Sequence, residues 1–461
     1  MPLPESLLGD LSTLMGARFA TGRGDREQHA ASESFHTAPP PDAVAYPETT
    51  SEVAAIVKAC AGAGVPVIAW GTGTSLEGHA LASQGGVTLN MGRMNRVLDI
   101  RPGDMQVTVQ PGVTREALNA DLRATGLFFS VDPGADASLG GMAATRASGT
   151  TAVRYGTMRD NVLALEVVLA DGQIIRTGSR AAKSSAGYDL TALFVGSEGT
   201  LGIITELTLR LHGQPEQVAS AVCGFADLRA AVDCVTMTIQ SGIPMARIEF
   251  VDALTARAFN LKSGTSLPET PHLMVEFHGS ESAVAQDAEN FGEIARDCDA
   301  SGFDWATTPE DRARLWRMRH GAYHAAFALR PGAVGIVTDV CVPMSQLADA
   351  VERAASEIEA AGMIGPIVGH VGDGNFHSLL LVDPEAPDDI AQAKQLARRM
   401  AQHALTVGGT ITGEHGVGIG KRSLMQDEHG GGWQVMGAIK AAMDPQNILN
   451  PGKLVPDRAQ S

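Results

Sequence analysis

Two histidines and a glutamate carry the clearest chemical signal in the sequence. His370 and His377 lie at either end of His-Val-Gly-Asp-Gly-Asn-Phe-His, and Asp373-Gly374 at its centre reads as a two-residue hairpin turn. Such a turn sets Gly372 against Asn375, Val371 against Phe376 and His370 against His377. Facing residues of a hairpin have Cβ atoms about 5 Å apart, close enough for two imidazoles to hold one metal; two unrelated core or surface histidines are the other reading. Glu414, set among Gly413, Gly416 and Gly418, offers a third ligand of suitable type. Two imidazoles and one carboxylate leave coordination positions open, as a catalytic divalent site requires. Neighbouring side chains of an extended loop point to opposite sides, so His415 is expected to face away from the metal. There it can act as a general base or orient a ligand. Asn375 can hydrogen-bond a substrate or serve as a turn residue that tolerates positive φ.

Two stretches almost free of bulky side chains suggest a second kind of chemistry. Residues 133–149 read Pro-Gly-Ala-Asp-Ala-Ser-Leu-Gly-Gly-Met-Ala-Ala-Thr-Arg-Ala-Ser-Gly, and residues 71–78 read Gly-Thr-Gly-Thr-Ser-Leu-Glu-Gly after the apolar run 65–70. Backbone without side chains lets a large flat ligand lie close and take hydrogen bonds from successive N–H groups, as a pyrophosphate does. Close-packed turns use the same residues. Neither loop has the Rossmann spacing or the Gly-Lys-Ser/Thr ending of a P-loop.

The two loops, together with Ser197-Glu-Gly-Thr-Leu-Gly-Ile-Ile-Thr205, resemble the FAD-binding domain of the vanillyl-alcohol-oxidase-type flavoproteins. Within that superfamily, the 369–377 motif, Thr412-Gly-Glu-His-Gly416 and Asp444-Pro-Gln-Asn-Ile-Leu-Asn-Pro-Gly-Lys453 resemble the D-lactate and related D-2-hydroxyacid dehydrogenases. The resemblance covers roughly residues 40 to 455. It implies an FAD site at Gly71, Thr72, Gly73, Thr74, Ser75, Pro133, Gly134, Ser138, Gly141, Ser148, Glu198 and Ile204. Thr74 stands where covalent flavoproteins of the superfamily carry a histidine, so FAD is expected to be non-covalent. A divalent metal, Zn or Mn, is implied at His370, His377 and Glu414, with His415 as the base that takes the substrate hydroxyl proton while Cα hydride passes to the flavin.

A substrate carboxylate needs a fixed cation; Trp316-Arg-Met-Arg-His320 resembles the family's substrate-binding helix, in which the matching position is Arg319, with Arg317 a weaker candidate. Trp316 and Tyr323 either wall the pocket or pack. His79 is expected to be incidental, and Arg146 departs from the small residue expected there and could pair with a phosphate. The segment 330–343 resembles the lactate branch and has no lysine, so a second substrate carboxylate, as in 2-hydroxyglutarate, finds no partner in it; the resemblance implies D-lactate as substrate, with glycolate the closest rival and D-2-hydroxyglutarate a further alternative. Electrons are expected to pass to a cytochrome, quinone or electron-transfer protein. A non-catalytic subunit of a larger oxidase should have lost the metal ligands, which are present.

The elements that must hold these groups can be read in outline. A capping box at Thr49–Glu52 opens a helix that ends at Gly64, before the strand 65–70. Hairpins are expected at 97–110 and 161–177, and a helix from Thr114 to Gly126. Beyond about 214, strands at 219–225, 245–250, 272–279 and 334–342 alternate with amphipathic helices at 227–241, 282–301, 345–361 and 388–407. The expected class is α+β: an FAD-binding domain in two parts over 1–213, a substrate (cap) domain with an antiparallel sheet and helices on one side over 214–410, and a C-terminal segment, 411–461, that returns to the FAD domain. The formal charge of −17 argues against nucleic acid as a partner. Five scattered cysteines suggest free thiols in a reducing compartment. With no run of about 18 apolar residues and no signal core, the protein is expected to be cytoplasmic or peripheral at an inner membrane, with a homodimer compatible.

Overall fold

A computed structural model describes residues 3–306 and 308–457. Its first helix, Glu5–Met15, ends at Gly16 (φ 54°). The Thr49 hydroxyl accepts from the Glu52 N–H and caps the helix Thr50–Ala63, which stops at Gly64 in the left-handed region. The apolar stripe of that helix, Val53, Ile56, Val57 and Cys60, packs on the strands Ala43–Ala45, Val67–Trp70 and Val87–Asn90. These three pair in parallel with Val87–Asn90 in the middle, and Phe19–Ala20 adds an antiparallel edge. The first glycine loop leaves this sheet directly after Trp70.

Both expected hairpins form, Val97–Arg101 with Gln106–Val109 and Val162–Val168 with Ile174–Gly178. Ile203–Arg210 lies between them and completes a five-stranded antiparallel sheet. Thr114 caps Arg115–Leu122, and the chain turns at Gly126. The short helix Leu139–Thr145 starts at Ser138, inside the second glycine-rich stretch, and buries Leu139, Met142 and Ala143 in the same core.

From residue 217 the chain builds an eight-stranded sheet with antiparallel pairing throughout. Alternation along each strand sorts the side chains between two faces. Ala221, Cys223, Ile248, Phe250, Leu273, Val275 and Phe277 share a core with the long helices Leu228–Gln240, Glu281–Asp297, Leu347–Ala360 and Pro387–Thr406. Val222, Val251 and Met274 face the other way, against the helices Ala253–Ser263 and Pro309–His320. The sheet is therefore covered on both faces, where the long amphipathic helices alone had suggested one. The expected strand 334–342 is also two strands, Val334–Val337 and Val340–Cys341, interrupted at Thr338-Asp339.

After the large sheet, the last segment returns to the first one. The Val67 N–H donates to Ile448 O (2.7 Å), and Val67 O accepts from the Asn450 N–H (2.9 Å). Lys453 is fully buried there and donates to Leu81 O at 2.7 Å. All five cysteines are free, and no helix among the described residues is long and apolar enough to cross a membrane.

Candidate active site

A cleft of about 360 Å³ separates the glycine loops from the 222/251 face of the large sheet, within the usual range of small-molecule sites, about 300–1,000 Å³. Gly71, Thr72, Gly73, Thr74 and Ser75 line it from the first loop, Pro133, Gly134, Ser138, Gly141 and Ser148 from the second, and Glu198 and Ile204 from the segment after Ser197. The approach of the loops requires glycine. A Cβ on Gly71 would fall on the Ser138 hydroxyl, and one on Gly73 (φ 75°) would come within 2.6 Å of the Trp70 ring. The resulting wall is backbone and small side chains, which fits a flat ring system joined to a pyrophosphate. Thr74, its hydroxyl 3.1 Å from that of Thr72, presents no imidazole for a covalent flavin bond.

Two residues come out differently from expectation. His79 is not incidental: it is buried, lines the cleft, and sets Nε2 3.3 Å from Glu198 Oε1. Glu198 also accepts from the N–H groups of Val417 (2.7 Å) and Gly418 (2.9 Å), tying the first domain to the loop that carries Glu414. Burial would raise its pKa, but His79 and the two N–H groups outweigh burial and hold it below the usual range. Arg146 does not line the cleft. At φ 58° it ends the 139–145 helix and donates to Val195 O (2.9 Å), which holds its guanidinium outside the cleft.

The histidine hairpin forms with a different register. Val371–Asp373 makes a 3-10 turn closed by Gly374 at φ 78°, and the pairs are His370 with Asn375, Gly369 with Phe376 and Val368 with His377. The partner of His370 is thus two residues earlier than a two-residue turn would give. An even shift keeps each side chain on its face, so the two imidazoles still meet, diagonally, with centroids 5.4 Å apart. His370 Nε2 and His377 Nε2 lie 3.0 and 3.2 Å from the same oxygen of Glu414. Ligands bound at ~2.1 Å around a divalent ion stand ~3.0–3.4 Å from one another, so this donor set fits such a cation. Both ring nitrogens of His377 are buried without a hydrogen bond, and a cation at Nε2 would account for one of them.

His415 does not face away. Its ring stacks on His377 (4.7 Å between centroids, 12° between planes) and lines the same cleft, because Gly416 at φ 76° curls the loop instead of extending it. Burial pushes the His415 pKa down to about 4 against the pull of Asp339, leaving a neutral imidazole at pH 7. Asp339 is the residue behind this cluster. Val337 pairs with Leu379 and Val340 with Phe376, and the same register sets Asp339 opposite His377. It accepts from Thr412 Oγ1 (2.6 Å) and from the N–H groups of Glu414 (3.0 Å) and His415 (2.8 Å), and it pairs with Lys421 (3.3 Å). Burial would raise Asp339, yet Lys421, His415 and His377 hold it well below the carboxylate range. Asn375 does not line the cleft: its Nδ2 donates to Asp339 Oδ1 and Val340 O, both at 2.8 Å.

Arg319 is buried and lines the cleft, while Arg317 is exposed. Arg319 Nη2 lies 2.6 Å from Glu249 Oε2, an ion pair rather than an aligned hydrogen bond. Two residues earlier on the same strand, Arg247 pairs with Asp132 (2.9 Å) and Glu276 (3.2 Å) and stacks on Trp316 at 4.5 Å. Trp316 therefore packs, its Nε1 donating to Glu276, whereas Tyr323 walls the cleft. Sequence reasoning missed Asp132, Arg247, Glu249 and Asp339. A usable signal was present in Met-Ala-Arg-Ile-Glu-Phe-Val, where Arg247 and Glu249 occupy alternate positions of an otherwise apolar strand.

Comparison with known proteins agrees with this architecture. The model of an FAD binding domain matches residues 41–178, and that of the C-terminal domain of FAD linked oxidases matches residues 214–454. A probable mitochondrial D-lactate dehydrogenase of Danio rerio is 51% identical over 440 residues, covering 95% of this chain and 88% of the relative. The mitochondrial D-lactate dehydrogenase (cytochrome) of Arabidopsis thaliana is 44% identical over 457 residues, covering 98% and 81%. The 4-ethylphenol oxidase from Gulosibacter chungangensis shares the fold, with a TM-score of 0.79 over 98% of this chain and 97% of that one at 20% identity. The chain belongs to the FAD-linked oxidases, an FAD-binding domain followed by the C-terminal domain of that family.

Proposed function

We propose that the protein oxidises D-lactate, or a related small D-2-hydroxyacid, to the 2-oxoacid, with non-covalent FAD and a divalent metal, Zn or Mn, held by His370, His377 and Glu414. The observation that carries this reading is the convergence of two imidazole Nε2 atoms on one Glu414 oxygen beside buried Arg319, in a cleft whose opposite wall is the glycine cradle. When bound, FAD supplies the acceptor for the Cα hydride and the metal acidifies the substrate hydroxyl. His415, neutral and stacked on His377, takes the hydroxyl proton. Arg319 binds the substrate carboxylate. Asn375 acts through Asp339, which orders the 412–415 loop. The absence of lysine from 330–343 favours substrates with a single carboxylate. The D-lactate dehydrogenases named above support the substrate class, and the cytochrome named for one of them supports transfer of the electrons to a separate carrier.

The test is a panel of D- and L-2-hydroxyacids with an artificial electron acceptor. D-lactate should bleach the flavin absorbance and L-lactate should not. Chelation should abolish that reduction while leaving the bound FAD spectrum and Tm nearly unchanged, and Mn²⁺ or Zn²⁺ should restore it. Acid precipitation should release all the yellow colour. Full activity after complete metal removal, or equal rates with both enantiomers, would refute the reading.

A further inference from the structure

We propose that Glu249 is a positioning residue: one buried carboxylate holds the imidazole of His370 and the guanidinium of Arg319 at a fixed separation, and metal affinity depends on it. This rests on the metal site proposed above. Phe250 pairs with Gly369 and Val251 with Val368, and one further step of that register sets Glu249 opposite His370, with Cβ atoms about 5 Å apart. The pairing is a property of the sheet, not of a flexible loop. His370 Nδ1 lies 2.8 and 2.9 Å from the two Glu249 oxygens. A carboxylate that accepts from Nδ1 leaves Nε2, which points at Glu414 beside His377, as the ring nitrogen that would present its lone pair to a bound cation.

The same carboxylate reaches Arg319 Nη2 at 2.6 Å, on the helix Pro309–His320 that crosses this face of the sheet. Glu249 is 1% exposed, so water cannot take its place. Arg247, two residues earlier on the same face, grips Asp132 immediately before the Pro133-Gly134 loop. One strand face thus holds the cofactor loop at one point, and His370 with Arg319 at the next. Glu249 does not line the cleft and acts only through the groups it holds. A glutamine there offers one accepting oxygen and one donating NH₂. The Nδ1–H of His370, which lies between the two carboxylate oxygens, would meet the NH₂ at one of them, and the Arg319 guanidinium would lose its counter-charge, so the two groups would no longer be held at their separation.

The experiment compares the FAD-loaded parent with Glu249→Gln and Glu249→Asp. Metal affinity is read by competition with a coloured chelator, FAD content by absorbance, and KM and kcat on D-lactate separately. Glu249→Gln should weaken metal affinity about 10- to 100-fold, raise KM and keep one FAD per chain. Glu249→Asp keeps the charge but is one methylene shorter, so it should fall between Gln and parent. If the Gln variant does not fold, the Asp variant decides alone. Metal affinity and KM within twofold of the parent in a folded variant, with or without a lower Tm, would overturn the proposal. A parent that binds no metal would sink the metal site as well, whereas a metal-binding parent with unaffected variants would sink the role of Glu249 alone.

Discussion

Gly71→Ala tests whether the contact between the two glycine loops is what forms the cofactor cradle. A Cβ at Gly71 overlaps the Ser138 hydroxyl, but it would stand 3.6 Å from Ser138 Cβ and 3.9 Å from Gly141 Cα, which are ordinary contacts. One oxygen is therefore the whole obstacle. Overpacking of this kind costs about 1–3 kcal/mol. Ser138 is buried and lines the cleft, so relieving the overlap by moving its hydroxyl alters the wall against which FAD would lie. The cost then appears in cofactor affinity, about 5- to 150-fold at ~1.4 kcal/mol per factor of ten. Apoprotein titrated with FAD should report it through fluorescence, because Trp70 lines the same cleft. Gly71→Ala combined with Ser138→Ala removes the obstructing oxygen and should bind FAD more tightly than Gly71→Ala alone, even if Ser138→Ala by itself weakens binding. Equal affinity for parent and Gly71→Ala, or no rescue in the double variant, would refute the reasoning.

Two further predictions follow from buried cations. Arg319→Lys replaces a planar fork with a point charge that must serve both Glu249 and the substrate; steady-state kinetics should show a raised KM and kcat/KM lower by about 1.5–3 kcal/mol, and values within twofold of the parent would move the carboxylate anchor elsewhere. Burial lowers the Lys453 pKa from 10.5 to about 8, with Glu198 opposing. Below pH 8 both folded and unfolded chains carry the charge. As pH rises from 8 to 10.5 the folded state gives up its proton first, so stability rises, by about 3 kcal/mol at ~1.36 kcal/mol per pH unit. Urea unfolding of the parent against Lys453→Met should diverge in favour of the parent across that window, and a constant difference would contradict it.

What could be read from the sequence follows the range of the interactions responsible. The Thr49 cap, the Gly64 stop and the hairpin around Asp171-Gly172 are local, and they form as expected. The strand His272–Gly279 matches to the residue. Periodicity does not mark the helix Pro309–His320, because its buried side includes Arg319 as well as Trp316 and Leu315, which breaks the apolar stripe; only the motif at 316–320 points to it. The histidine hairpin failed for a different reason. Asp-Gly suits a two-residue turn, but a left-handed Gly374 can equally close a longer one, and that choice is made by Asn375, held under Asp339 on another strand.

The glycine loops and the three metal-type residues stood out by residue type and spacing and Arg319 by resemblance, and these, with His415, line one cleft. The carboxylates behind them did not stand out, since Glu249 faces His370 and Asp339 faces His377 only once the sheet register is known. Their sequence signal is energetic. A charge buried in a core strand costs several kcal/mol unless it is paired, so a fold selected for stability alone would fill positions 247, 249 and 339 with apolar residues. Each of these charges instead has partners from a separate part of the chain: Arg247 with Asp132, Glu249 with His370 and Arg319, and Asp339 with Lys421 and the 412–415 loop. A charged residue in phase with the buried face of an apolar strand is therefore better evidence of a site behind that face than of a stabilising ion pair. On this chain the two carboxylates, Glu249 and Asp339, converge on the two histidines from which the chemical reading began.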